Sequence, residues 1–277
     1  MLIKIFKICL TIAEESFLNK NNQKMKVIIN YIILNGVRDR LYLSVLLTLI
    51  ISFIVSIIFG STFLIEKQES VSAFSAGSSR LIFIIGITLF VCLNLHRSFE
   101  NKEIEFIISK SISRQKIIIG YISGYILSAT IILIPLILAL FILTKSDLIG
   151  LLYWSISLVL ESLIVVTFAI LATLILGNAF SAILASLSFY ILSRMMGIFV
   201  YAIELPKSYG DFSNNILPST LKILSVVFPR LDIYSKSQWL TYGISDFTDI
   251  KIVLLQSLVY IPLLIFMSFY DFGKKQF

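Results

Sequence analysis

The chain has 277 residues, of which 58% are hydrophobic and only 14% are charged. A soluble domain averages about 45–50% apolar and about 25% charged residues, so this composition argues against a soluble protein. The net charge of +7 is expected to reflect orientation in a membrane and contact with phospholipid headgroups, and no nucleic-acid partner is expected.

Residues 1–40 are predicted to form a cytoplasmic amphipathic segment. The opening MLIKIFKICL lacks the uninterrupted apolar core and the small-residue cleavage site of a signal peptide. The following stretch MKVIINYIILNGVRDR has basic ends and an apolar middle, which suit a helix lying in the headgroup plane. Met25 is an alternative start residue that the sequence leaves open.

Six apolar runs follow, and each is predicted to cross a membrane as a helix. About 20 residues at 1.5 Å per residue span the hydrocarbon core of roughly 30 Å. The runs are 41–60, 81–95, 117–143, 148–176, 180–203 and 252–270. They are continuously apolar, which excludes the alternating pattern of β-barrel strands. We therefore expect an all-α integral membrane protein with a six-helix transmembrane domain over residues 41–277.

The basic residues predict the orientation of these spans. Fourteen of the 23 Lys and Arg residues lie on the side that holds residues 1–40, 97–116 and the C-terminal tail. Eight lie on the other side, where Lys67 and Arg80 are assigned to the first outer loop, and Arg194 lies inside a span. Because cytoplasmic loops carry the excess of basic residues, both termini are predicted to be cytoplasmic.

The segment between the second and third spans, FENKEIEFIISKSISRQKIIIGY, is charged and amphipathic. In a helix, Ile104, Ile107 and Ile108 would share one face and the glutamates would lie mostly elsewhere. This pattern predicts a short interfacial helix that docks into a partner and transmits its motion. A solvated loop with a basic rim is the alternative.

Two charges fall inside predicted spans. Counted from the turn near Asn178, Glu161 lies 17 residues along the fourth span and Arg194 lies 16 residues along the fifth. At 1.5 Å per residue these positions are roughly 25 and 24 Å from the turn. Since each charge alone would cost about 2.5–3.5 kcal/mol there, we expect an intramembrane salt bridge or a shared hydrogen-bond network. Two alternatives stay open: Arg194 facing a transport path or outer vestibule, or both side chains snorkelling apart.

The long outer loop, residues 204–250, contains LPSTLKILSVVFPRL. This stretch is too short to span and too apolar for a free loop, which favours a re-entrant outer hairpin that includes 217–228. Trp239 and Tyr242 suit the outer headgroup belt. An ordinary folded extracellular loop is the alternative.

The sequence lacks the residues that several kinds of catalytic and binding sites require. The chain has no G-x-x-x-x-G-K-[ST] phosphate loop, and its single histidine cannot complete a Ser/His/Asp set at the membrane edge. Two cysteines and one histidine do not make a zinc site. The chain is therefore not expected to be an enzyme, and no catalytic, cofactor-binding or metal residues are predicted.

The stretch RSFENKEIEFIISKSISRQKIIIGY resembles the cytoplasmic coupling segment of type-2 ABC transporter permeases. That family has a basic residue and a Glu, then Gly-Thr, a short apolar run, Ser-x-Pro-x-Ser-Arg, and a Gly at the head of the next span. The matching positions are Arg97, Glu100, Glu105, Phe106, Ile107, Ile108, Ser109, Ser113, Arg114 and Gly120. Lys102-Glu103 stands where Gly-Thr is usual, and Ser111 stands where Pro is usual. The membrane-surface N-terminal helix, the six spans and the long outer loop also fit the family.

The resemblance implies the permease subunit of an ATP-driven transporter, usually an exporter, in the bacterial cytoplasmic (inner) membrane. Such a subunit pairs with an identical or related permease, and separate cytoplasmic ABC ATPase subunits bind ATP and Mg²⁺. Glu100, Glu103, Glu105 and Arg114 would then contact the ATPase. A single-component transporter or channel, which would use Glu161 and Arg194, and a non-transporting membrane scaffold are the alternatives.

Overall fold

The structure is a computed structural model, and it describes residues 25, 27–63, 67–109, 113–144, 147–204, 228–243 and 248–274. The described residues form helices and turns, with no strand among them. The helices are α1 Val27–Arg38, α2 Arg40–Ser61, α3 Lys67–Glu100, α4 Glu103–Ser109, α5 Arg114–Thr144, α6 Leu148–Leu176, α7 Ala179–Glu204, α8 Leu231–Tyr234, α9 Gln238–Thr241 and α10 Thr248–Lys274.

Six of these helices, α2, α3, α5, α6, α7 and α10, are long and apolar enough to cross a membrane. The prediction of an all-α protein with six spans is confirmed at this level. α5 and α10 continue through Pro135 and Pro262, as helices in apolar surroundings commonly do. The chain thus has the make-up of a multi-pass membrane protein.

The predicted start of the second span is wrong, because α3 begins at Lys67 rather than near residue 81. The first turns of α3 are rich in serine, which lowers their hydropathy. The hydroxyls of Ser72, Ser75 and Ser79 nevertheless donate to carbonyls three residues earlier in the helix, and all three side chains are buried. Arg80 therefore lies within a helix and not in an outer loop.

Two helices form the centre of the bundle. α3 and α6 bury most of their apolar stretches, whereas the other four spans bury a third or less of theirs. α3 packs against α2, α5, α6 and α7, and α6 packs against α3, α5, α7 and α10. The remaining spans turn many large apolar side chains outward, as expected of helices that face lipid.

The helix α1 packs against α5 through small residues. A Cβ atom at Gly120 would lie 3.3 Å from Ile28, and one at Gly124 would lie 2.7 Å from Ile32. Both isoleucines are buried. This close approach fixes α1 on the bundle, but residues 1–24 of the predicted amphipathic segment lie outside the described residues.

Short connections place the spans side by side. Between α6 and α7, Gly177 adopts a left-handed φ of 63°, and the Asn178 side chain accepts a hydrogen bond from the Phe180 amide at 3.0 Å. A left-handed glycine after the last turn is a common way to end a helix. The connection therefore consists of only two residues, Gly177 and Asn178.

The bundle has two distinct ends. The α4 end holds α1, the starts of α2 and α5, α4 itself, and the ends of α3 and α10, whereas the opposite end, called the α9 end, holds α8 and α9. The described basic residues at the α4 end are Arg38, Arg40, Arg97, Lys102, Arg114, Lys116 and Lys274. Those at the α9 end are Lys67, Arg230, Lys236 and Lys251. Positive charge is therefore concentrated at the α4 end.

The segment between α7 and α10 is described from Phe228 to Gly243. It contains α8 and α9, and Trp239 and Leu240 of α9 are buried. Residues 217–227 of the predicted re-entrant hairpin lie outside the described residues, so that part of the prediction stays a prediction.

Replacing Lys102 by glycine should stabilise the protein. Lys102 separates α3 from α4 and adopts φ 56°, a conformation that costs an L-residue about 1–2 kcal/mol and costs glycine nothing. Glycine also loses more conformational entropy on folding than lysine does, which costs about 0.5–1 kcal/mol. We therefore expect a net gain of up to about 1.5 kcal/mol in the free energy of unfolding, measured by titration with a denaturing detergent. Lys102→Ala removes the same charge but retains the strain, so an equal gain in that variant would contradict the explanation.

Candidate functional site

A cluster of charged side chains lies inside the bundle, about 20 Å along α3 and α6 from the first residues of these helices. Arg80 of α3 and Glu161 of α6 are 1% and 0% exposed, and Arg80 Nη1 lies 2.7 Å from Glu161 Oε2. Arg194 of α7 approaches the other carboxylate oxygen, with its Nη1 3.4 Å from Glu161 Oε1. Each oxygen of Glu161 therefore contacts a different arginine.

Arg80 makes more contacts than an ion pair requires. Its Nη1 also donates to the carbonyl of Tyr234 at 2.7 Å. Its Nη2 donates to the carbonyl of Trp154 at 3.0 Å and to the hydroxyl of Ser157 at 2.9 Å. The guanidinium carbon lies 4.7 Å from the centre of the Trp154 ring, within the range of a cation–π contact. These contacts compensate the charge and the two terminal nitrogens that burial removes from water, whereas Nε has no hydrogen-bond partner among the described residues.

Tyr234 extends this network to a fourth span. While its carbonyl accepts from Arg80, its hydroxyl lies 2.8 Å from the Ser257 hydroxyl and donates to the Val253 carbonyl of α10 at 3.0 Å. Burial raises the pKa of Tyr234 to about 12, so the hydroxyl keeps its proton at neutral pH. The cluster therefore joins α3, α6, α7, α8 and α10.

The sequence predicted contact between Glu161 and Arg194, and the structure places these side chains in contact. The nearer partner of Glu161 is Arg80, which sequence reasoning missed. The opposite charges of Arg80 and Glu161 would have indicated a pair if α3 had been predicted to begin at Lys67. Arg194 is 25% exposed, so it lies at the border of the cluster.

Three of the four predicted coupling residues contact different partners. Glu100 ends α3 and lies 3.2 Å from His96, one turn earlier. Arg114 donates to the Gly273 carbonyl at 2.8 Å, which ties the start of α5 to the end of α10. Glu103 and Glu105 lie on α4, and Glu105 is exposed.

α4 packs on the bundle through its three isoleucines, of which Ile107 and Ile108 are half-buried. Ile104 is buried in the main apolar core, with 2% of its surface exposed. Glu103 accepts a hydrogen bond from the Tyr31 hydroxyl of α1 at 2.9 Å. Burial, together with the Glu103 carboxyl, raises the pKa of Tyr31. Glu105 and Phe106 face away from the bundle, and 62% of the Phe106 surface is exposed.

Two cavities adjoin these elements. An apolar groove of about 950 Å³ runs between α7 and α10 over the surface of α6, and its polar lining residues include Ser188, Arg230 and Gln256. A polar pocket of about 390 Å³ lies at the α4 end, between α1, the start of α2, the end of α3 and α4. The apolar groove has the form of a small-molecule site, which is typically concave and mostly apolar with a few polar groups.

Within the described residues, no group of histidine, cysteine, aspartate and glutamate side chains could hold a metal ion. No protein-family model matches the chain, and no curated protein matches it.

Proposed function

We propose that this chain is the membrane-spanning permease subunit of an ATP-driven ABC transporter, an exporter of the bacterial cytoplasmic membrane. It would pair with a second permease subunit, identical or related, and would couple a separate cytoplasmic ATPase to substrate movement. ATP and Mg²⁺ would bind in that partner. In this arrangement the α4 end, where positive charge is concentrated, faces the cytoplasm.

The observation that carries the proposal is the helix α4 between the second and third spans. It is short and packs on the bundle through its isoleucines, of which Ile104 is buried. The side chains of Glu105 and Phe106 are exposed. A helix held in this way can receive force from a docked subunit and pass it to α3 and α5, which it connects.

The backbone conformation of the turn before α4 is also consistent with the pattern of the family that the sequence resembles. Lys102 occupies the position where that pattern has glycine, and its φ of 56° lies in the left-handed region that favours glycine. The backbone thus takes the conformation that the family's usual residue would suit, although the residue itself differs.

The first test is purification of the tagged full chain from its native membranes in a mild detergent. We expect an ATP-binding subunit to copurify and the complex to hydrolyse ATP. If the chain purifies without such a subunit and moves substrate alone after reconstitution, the single-component transporter is correct and the ABC proposal is wrong.

Reversing the charge of Glu105 should weaken the complex. Glu105 is exposed on α4, so Glu105→Lys leaves the bundle intact and places a cation against a surface that accepted an anion. We expect about tenfold weaker association with the ATPase, or about 1.4 kcal/mol, measured by titrating purified ATPase onto the reconstituted chain.

The matched control is Glu69→Lys at the opposite end of the bundle, which makes the same charge change away from α4. It should bind the ATPase like the parent. An unchanged affinity for Glu105→Lys would remove Glu105 from the coupling surface without affecting the copurification result.

A further inference from the structure

The polar pocket at the α4 end is rich in arginine. Its volume is about 390 Å³, and its lining includes Arg38, Arg40 and Arg97. Two carboxylates, Asp39 and Glu103, also line it. Three cations against two anions leave one excess positive charge.

Both carboxylates are already engaged within the bundle. Asp39 accepts from the Leu41 amide at 3.1 Å through one oxygen and from Arg97 at 3.3 Å through the other. Glu103 accepts from the Tyr31 hydroxyl at 2.9 Å through one oxygen, and its other oxygen is buried without a hydrogen-bond partner among the described residues.

The excess charge therefore falls on Arg38 and Arg40. Neither arginine forms an ion pair with a residue that the structure describes, and both are exposed. Asn35 and Asn101 add amide donors to the lining. Guanidinium forks with neighbouring neutral donors are the groups that recognise phosphate oxygens.

The position of the pocket favours a lipid as the source of the phosphate. Arg40 is the first residue of α2 and Arg97 lies in the last turn of α3, so the pocket lies where two apolar spans end. In neighbouring turns, Leu34, Val37 and Leu43 each expose more than half of their surface. A phosphate held by the arginines would thus have apolar side chains beside it to receive acyl chains.

We propose that this pocket binds the phosphate headgroup of an anionic phospholipid, with Arg38 and Arg40 as the principal ligands. The bound headgroup would bridge α1, the start of α2 and the junction of α3 with α4. The inference requires only that the spans lie in a bilayer, and it does not depend on the ABC proposal.

The test is a titration of the purified full chain with phosphatidylglycerol, or with phosphatidylcholine, in mixed micelles, followed by native mass spectrometry. The parent chain should bind at least one phosphatidylglycerol molecule in preference to phosphatidylcholine. The double variant Arg38→Gln/Arg40→Gln should weaken that binding by about thirtyfold, the factor that corresponds to two arginines at about 1 kcal/mol each.

The matched control, Lys116→Gln/Lys274→Gln, removes two cations from the same end of the bundle but outside the pocket. It should bind phosphatidylglycerol like the parent. Equal loss in both double variants, or no loss in either, would overturn the proposal. Asn35→Asp, which adds an anion to the lining, provides an independent variant and should weaken binding in the same direction.

Inorganic phosphate distinguishes the two sources of the ligand. If added phosphate displaces phosphatidylglycerol only at concentrations far above those of the lipid, the pocket is a lipid site. If it displaces the lipid at equal concentration, with the same dependence on Arg38 and Arg40, the pocket recognises soluble phosphate and the lipid assignment is wrong.

Discussion

Replacing Glu161 by glutamine should lower the free energy of unfolding by about 3–5 kcal/mol, which is the usual result of removing one partner from a buried ion pair. The carboxylate is fully buried and is the only described anion that contacts Arg80. Glutamine has a similar shape but leaves the Arg80 charge without compensation. Arg80→Gln should be at least as harmful, since it also removes the donors to the carbonyls of Tyr234 and Trp154.

Arg194→Gln is the internal control for this prediction. Its guanidinium lies 3.4 Å from the carboxylate and is 25% exposed, and Arg80 would still pair with Glu161 in this variant, so the loss should be smaller than that of Glu161→Gln. Titration with a denaturing detergent gives the three values. Equal losses at Arg80 and Arg194 would contradict the unequal roles that the geometry assigns to them.

The charge swap Glu161→Arg with Arg194→Glu separates a pair from a cluster. A simple pair between these residues would regain part of its stability when the charges are exchanged. In the cluster, an arginine at position 161 would face Arg80 at the distance where the carboxylate now lies. We therefore expect the swap to be no more stable than Glu161→Gln, and a clear recovery would show that Arg80 is not the main partner.

Replacing Gly150 by alanine should destabilise the protein by about 1–3 kcal/mol, the range for overfilling a packed site. Gly150 lies in the first turns of α6, where a Cβ atom would overlap the carbonyl oxygen of Trp239. Because that oxygen belongs to the backbone of α9, it cannot move aside as the end of a side chain could. The result should appear as a lower midpoint of thermal unfolding in detergent.

Gly77→Ala is the matched control. Gly77 lies within α3, and nothing stands within 4 Å of the position that its Cβ would take. Alanine is favoured over glycine in a helix by about 0.8–1.0 kcal/mol. Gly77→Ala should therefore be neutral or stabilising, and a loss equal to that of Gly150→Ala would contradict the assignment of the effect to Trp239.

The apolar runs were enough to predict most spans, because a continuous stretch of large aliphatic residues has few other stable placements. They failed where a span is built from small polar residues. The hydroxyls of the serines before Arg80 donate hydrogen bonds to carbonyls of the same helix. A hydropathy pattern does not show these hydrogen bonds. The start of α3 was missed for that reason.

The candidate site was partly predictable. The equal depth of Glu161 and Arg194 follows from counting residues along two spans joined by a short turn. The contribution of Tyr234 could not be predicted, because it uses a backbone carbonyl that any residue possesses. The separate directions taken by Glu103 and Arg114 depend on α1 and α10, which are remote from them in the chain.

The pairing of Arg80 with Glu161 also sets an order for the synthesis of the protein. The two residues are 81 positions apart, so at about 5–20 residues per second the ribosome adds Glu161 several seconds after Arg80. During that interval the nascent α3 contains a cation without its acid, and an isolated arginine at a helix centre opposes insertion by about 2.5–3.5 kcal/mol. α3 can reach its final position only after α6 has been synthesised. The insertion of the fourth membrane helix therefore determines when the second one is fully placed.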